Sequence, residues 1–111
     1  MTLISLEDAK AFLRVDSADE DMLIGSLLTA AASLCTDVAR LTPEQWAQID
    51  SDAAISEHYG EMELAAVRAT IRVAVLYTLG YLYEHREEAD HHALTLTLRA
   101  LLFGIREEGA V

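Results

Sequence analysis

Residues 61–88 are apolar around most of a helical circumference, and this constrains the chain more than any other feature. Leu64, Val67, Ile71, Val75, Leu79 and Leu82 recur at three- and four-residue spacing and mark one stripe. Ala66, Ala69, Val73, Leu76, Gly80 and Tyr83 mark a neighbouring one. A helix with two apolar stripes packs at the centre of a bundle or is covered by other subunits. At the α-helical rise it would reach roughly 40 Å. Gly80 costs about 1 kcal/mol in a helix interior, so it marks either a close approach by a neighbour or a tolerated defect. The polar run Glu84-His85-Arg86-Glu87-Glu88 closes the element.

The rest of the chain reads as shorter helices. A second long one is expected at about 18–38, where Leu23, Leu27, Ala30, Leu34 and Val38 share a face and Ala31 and Cys35 widen it. Ser17 with Glu20 forms its candidate capping box, with Asp16 as the competing cap, and Asp19, Glu20 and Asp21 suit the positive end of the helix dipole. Ser5 with Asp8 caps a short helix at 6–13. In the irregular segment 39–60, Thr42, Pro43 and Gln45 start a helix at 43–49, and Leu41 can staple onto Trp46. Trp46 is then a local anchor, with partner binding as the lesser reading. A last helix at about 92–103 carries Leu94, Leu98, Leu101 and Leu102, with Asp90 as its cap and Gly104 as its stop. The expected fold is all-α, a small bundle forming one domain over 1–111. A tail at about 104–111 should stay mobile unless a partner holds it.

Composition narrows the function. The chain carries 19 acidic and 8 basic residues, a formal net charge of −11, with Lys10 its only lysine. Such a surface repels phosphate, which argues against tight binding of nucleic acid by the isolated chain. The run at 73–83 is the longest strongly apolar stretch and has 11 residues, against the roughly 20 that a membrane span needs. The first residues lack the basic and apolar regions of a signal peptide, and Cys35, the only cysteine, reads as a small buried hydrophobe in a reducing compartment. Of the four histidines, His58, His85, His91 and His92, no two share a metal-ligand spacing on one helix face. No catalytic, metal-binding or cofactor motif is present, so the chain reads as a non-enzyme.

What stands out is a set of arginines and tyrosines on the most apolar helix. Arg68, Arg72, Arg86, Tyr77, Tyr81 and Tyr83 are there, with Glu87 beside them. Arg and Tyr are favoured at protein interfaces because each joins apolar area to hydrogen bonding. The plainer alternative puts the arginines on a polar edge and the tyrosines over the core.

Three stretches resemble the small head–tail connector proteins of long-tailed bacteriophages, also described as head-completion or DNA-packaging adaptor proteins. The first is Ile4-Ser5-Leu6-Glu7-Asp8-Ala9-Lys10-Ala11-Phe12-Leu13-Arg14-Val15-Asp16, followed by the acidic Asp19-Glu20-Asp21 and the apolar helix after it. The second ends in Tyr81-Leu82-Tyr83-Glu84-His85-Arg86-Glu87, and the third is Leu101-Leu102-Phe103-Gly104-Ile105-Arg106. The chain departs from the family pattern around Pro43 and Trp46. It departs again at His91-His92-Ala93-Leu94, where the family often has a proline-led approach.

The resemblance implies a helical subunit of a homo-oligomeric ring of about a dozen copies in the virion neck, assembled in the bacterial host cytoplasm. The ring would join the portal protein to the next neck or tail protein while DNA passes through its channel without specific binding. No membrane and no cofactor are implied. About a dozen copies at −11 each would bring well over a hundred negative charges together, which suits a channel wall that must not hold DNA. That charge must be managed at subunit contacts, for which Arg68, Arg72, Tyr77, Tyr81, Arg86 and Glu87 are the candidates. Ile105, Arg106 and Val111 are the candidates for portal contact. The rival reading is an acidic helical regulator or DNA mimic that binds a basic partner protein.

Overall fold

A computed structural model describes residues 1–51, 61–85 and 92–105. Among these residues every regular element is helical: α1 (Leu6–Leu13), α2 (Asp21–Ala39), α3 (Pro43–Ile49), α4 (Glu61–Glu84) and α5 (His92–Leu102), with a 3₁₀ turn at Phe103–Ile105. The expected cap of α5 at Asp90 lies outside the described residues, as does the end of the 84–88 run.

Local chemistry sets the two short helices. The Ser5 hydroxyl accepts from Asp8 N–H at 3.0 Å, and the Asp8 carboxylate accepts from Ser5 N–H at 3.3 Å. Thr42 and Gln45 make the same exchange at 3.1 and 2.8 Å, with Pro43 at the first helical position. Each box satisfies two N–H groups that a helix start otherwise leaves orphaned. The α1 and α3 bounds are those expected. Leu3 N–H donates to Asp50 Oδ1 at 2.6 Å, which ties the N-terminal segment to the end of α3.

α2 departs from expectation at its start and in its face. Ser17 and Glu20 form no capping box. The chain turns at 18–21, where Asp21 N–H donates to Ala18 C=O at 3.2 Å, and Glu20 precedes the helix without a side-chain cap. Tertiary partners have taken both carboxylates. Glu20 Oε1 accepts from Tyr83 Oη at 2.5 Å, and Asp21 Oδ1 lies 2.8 Å from Lys10 Nζ as an ion pair rather than an aligned hydrogen bond. The buried face is Ile24, Leu28, Ala31, Ala32, Cys35, Val38 and Ala39: Ala31, Cys35 and Val38 are inside as expected, whereas Leu23, Leu27 and Leu34 are half-buried and Ala30 is exposed. α2 is also long and apolar enough to cross a membrane by length and composition, unlike the 73–83 run. Its apolar side is instead spent on the core.

α2 packs most extensively against α4, and α5 packs against both, so these three helices surround the core while α1 closes one side. Ile71, Val75 and Leu79 from α4 meet Ile24 and Cys35 from α2 and Leu94, Leu98 and Leu102 from α5 in one buried cluster. Leu101 lies outside it and is exposed. Gly104 is not a left-handed stop, since it lies within the 3₁₀ turn and no glycine among the described residues has positive φ. Arg14 and Arg40 take the left-handed conformation at the ends of α1 and α2, and each cap N–H bonds back into its helix.

Candidate subunit interface

The two apolar stripes of α4 have opposite fates. Leu64, Val67, Ile71, Val75 and Leu79 are buried, and Leu82 is half-buried. Ala74 and Thr78 join them inside. Val73 follows Ile71 by two residues, roughly 200° round the helix, and so points away from the core. The second stripe therefore faces solvent. Ala66 and Ala69 are exposed, Val73 is 57% exposed, and Leu76 and Gly80 are half-covered. Met62, 87% exposed, extends the stripe toward the start of the helix, and Tyr77, 46% exposed, widens it toward the end. An apolar strip along a helix of this length is what protein contacts use, whereas single exposed apolar residues are ordinary.

Arg72 is exposed and Arg68 half-buried along one edge of this strip, and among the described residues neither makes an ion pair. Residues 64–83 contain no Asp or Glu. In a chain of charge −11, these two guanidinium groups are left available to an acidic partner surface.

At its far end the strip runs into a cleft of about 600 Å³ between the end of α1 and the last turns of α4. Phe12, Tyr77, Gly80, Tyr81 and His85 line it, with Arg14 and Glu84 at its polar margin. Gly80 has a steric reason here, because a Cβ at this position would stand 3.2 Å from the Phe12 ring. The close approach weighed from sequence is thus made by an aromatic ring of α1. Tyr81 stacks on His85 with ring centres 4.1 Å apart, and His85 Nδ1 lies 2.9 Å from the Tyr81 carbonyl oxygen. Tyr83 does not lie on the open strip, since its hydroxyl is committed to Glu20.

Of the interface candidates, Tyr77 borders the outer strip on one side, exposed Arg72 and half-buried Arg68 border it on the other, and Tyr81 lies in the adjoining cleft. Arg86 and Glu87 lie outside the described residues. So do the portal candidates Arg106 and Val111, as well as His58 and His91. Ile105 is half-buried against the core. Sequence reasoning left Met62 out, although it stands four residues before Ala66 and so falls in register with the stripe. Trp46 is half-buried beside Thr29, Ala32, Ser33 and Thr36 of α2, which makes it an anchor for α3.

Cys35 is fully buried at the α2–α4 seam, 3.5 Å from Thr78 Oγ1. The Thr78 hydroxyl donates to Ala74 C=O at 2.8 Å, which leaves its oxygen to accept from the thiol. Burial pushes the thiol up to about 11, so it stays protonated and unreactive at neutral pH. No group of three or more His, Cys, Asp or Glu gathers among the described residues.

No curated protein and no solved structure gives a significant match to the chain. A family model does match, that of the phage gp6-like head-tail connector protein, over residues 3–107. The match runs through the 39–60 segment where the sequence departs from the expected pattern, and it covers nearly all of a chain whose described elements are all helical: the chain belongs to the phage gp6-like head–tail connector family.

Proposed function

We propose that this chain is a non-catalytic subunit of a connector ring that joins the portal of the filled head to the next neck or tail component and leaves a channel for DNA. A head–tail connector is a structural component of the virion, and membership of that family supports the role. The observation that carries the ring is the outer face of α4, an apolar strip edged by two arginines that make no ion pair among the described residues, on an otherwise strongly acidic chain. Covering that strip with a second copy removes apolar area from water. A DNA mimic would instead need its acidic groups gathered on its binding face, and this exposed face has none between 64 and 83.

The C-terminal segment is the portal contact in this reading. Because Ile105 packs on the core, deletion of 106–111 is expected to leave the fold intact and abolish joining to the portal. The test of the ring is mass by light scattering across a concentration series, with negative-stain imaging of any large species. It is repeated with portal protein present, since subunit contacts can require a template. Rings of about a dozen copies in either condition support the proposal. A monomer that also ignores the portal overturns it.

A further inference from the structure

A closed ring needs two different patches on each copy, one for each neighbour. The outer face of α4 is one, and α5 carries the second. Ala93, Leu96, Ala100 and Phe103 recur at helical spacing on the solvent side of α5 and the turn that follows it. Leu96 is 51% and Phe103 71% exposed. Leu94, Leu98 and Leu102 hold the opposite side in the core. Because α2, α4 and α5 pack on one another, the outer faces of α4 and α5 point away from each other and cannot cover one another within one copy.

The two patches match in four respects. Residues 92–105, like 64–83, contain no Asp or Glu, although the chain has 19, and depletion of charge is what the centre of an interface shows. Their lengths agree, since 62–73 and 93–103 each rise about 15 Å. Their relief is complementary, with small Ala66 and Ala69 in the middle of one strip and the larger Leu96 and Phe103 on the other. One margin of each carries opposite charge, because exposed Glu63 flanks the α4 strip on the side away from Arg68 and Arg72, exposed Arg99 flanks the α5 strip, and neither Glu63 nor Arg99 is paired among the described residues.

We infer that the outer face of α5 in one copy docks on the outer face of α4 in the next, with Leu96 and Phe103 seated over Ala66 and Ala69. This rests on the ring reading above and supplies its contact. The test mixes two full-length variants of different tagged mass, Ala69→Cys and Ala100→Cys, with a short bifunctional thiol reagent. Portal protein is added if the isolated chain is monomeric. Both positions are exposed, and buried Cys35 does not compete. The expected product is the mixed pair, at least tenfold above either self-pair. A dominant Ala69→Cys self-pair would show a two-fold α4–α4 contact and overturn the inference. Rings without any cross-link would also overturn it while leaving the connector reading standing. Monomers without cross-links, with portal present, would remove the connector reading itself.

Discussion

α2 and α4 are the two longest helices and pack on each other, yet their solvent sides differ. Ser26, Thr29, Ser33 and Asp37 occupy the outer side of α2, all exposed. Met62, Ala66, Ala69, Val73 and Tyr77 occupy the outer side of α4. A short-range account of folding has no use for the second pattern, because both helices already bury a full apolar face. α2 is finished when the monomer folds. α4 leaves an apolar strip that, on the proposed reading, a neighbouring copy covers.

The largest way to probe that contrast is from inside. Ile71 is fully buried, and Ile71→Ala is expected to lower stability by about 2–5 kcal/mol in urea unfolding, through lost transfer energy and the cavity left behind. A loss under ~1 kcal/mol would mean that the inner face of α4 is not the core face.

Next comes the seam between the helices. The Cys35 thiol has its folded pKa raised from 9.0 to about 11, so its contribution is fully present below pH 9 and is lost as pH rises through 11. On going from pH 8 to pH 11 the wild type should lose on the order of 2 kcal/mol more than Cys35→Ala. Parallel losses would mean that solvent reaches the thiol. The comparison with the variant cancels whatever the other groups contribute in both proteins.

The outer faces come third. Val73→Asp should weaken self-association or portal-templated assembly at least tenfold, about 1.4 kcal/mol, while changing the unfolding free energy of the monomer by less than ~0.5 kcal/mol. Ser26→Asp on α2 should change neither. Equal effects of the two substitutions on assembly would erase the distinction between the faces. The smallest effect is at the cleft. Gly80→Ala gains helix propensity of about 1 kcal/mol and asks Phe12, which is half-exposed, to move a few tenths of an ångström. The net change is expected to stay within ~1 kcal/mol, read from the unfolding midpoint.

The parts legible in the sequence were those governed by neighbours along the chain. Ser5 with Asp8 and Thr42 with Gln45 fix α1 and α3 through contacts three residues apart, so their bounds follow from reading. The start of α2 did not follow. Glu20 is engaged by Tyr83, 63 residues away, and no local rule anticipates that bond. On α2 Ala31, Cys35 and Val38 were placed correctly, but Ile24 and Leu28 are buried in place of Leu23 and Leu27, because both sets are apolar at helical spacing and only packing chooses between them. α4 shows the same degeneracy. Periodicity found both stripes but gave no sign of which one the monomer would cover. The arginines Arg68 and Arg72 were legible as an edge, and that neither forms an ion pair among the described residues became visible only in three dimensions.

The solitary thiol also makes the molecule its own clock. Cys35 is sealed between α2 and α4, so a thiol reagent reaches it only when that seam parts, and the labelling rate counts partings. A copy clamped along the outside of α4 by its neighbour would part less often. The slowing of Cys35 labelling as copies come together would then time the capture of each subunit, without any reporter having to be added to the protein.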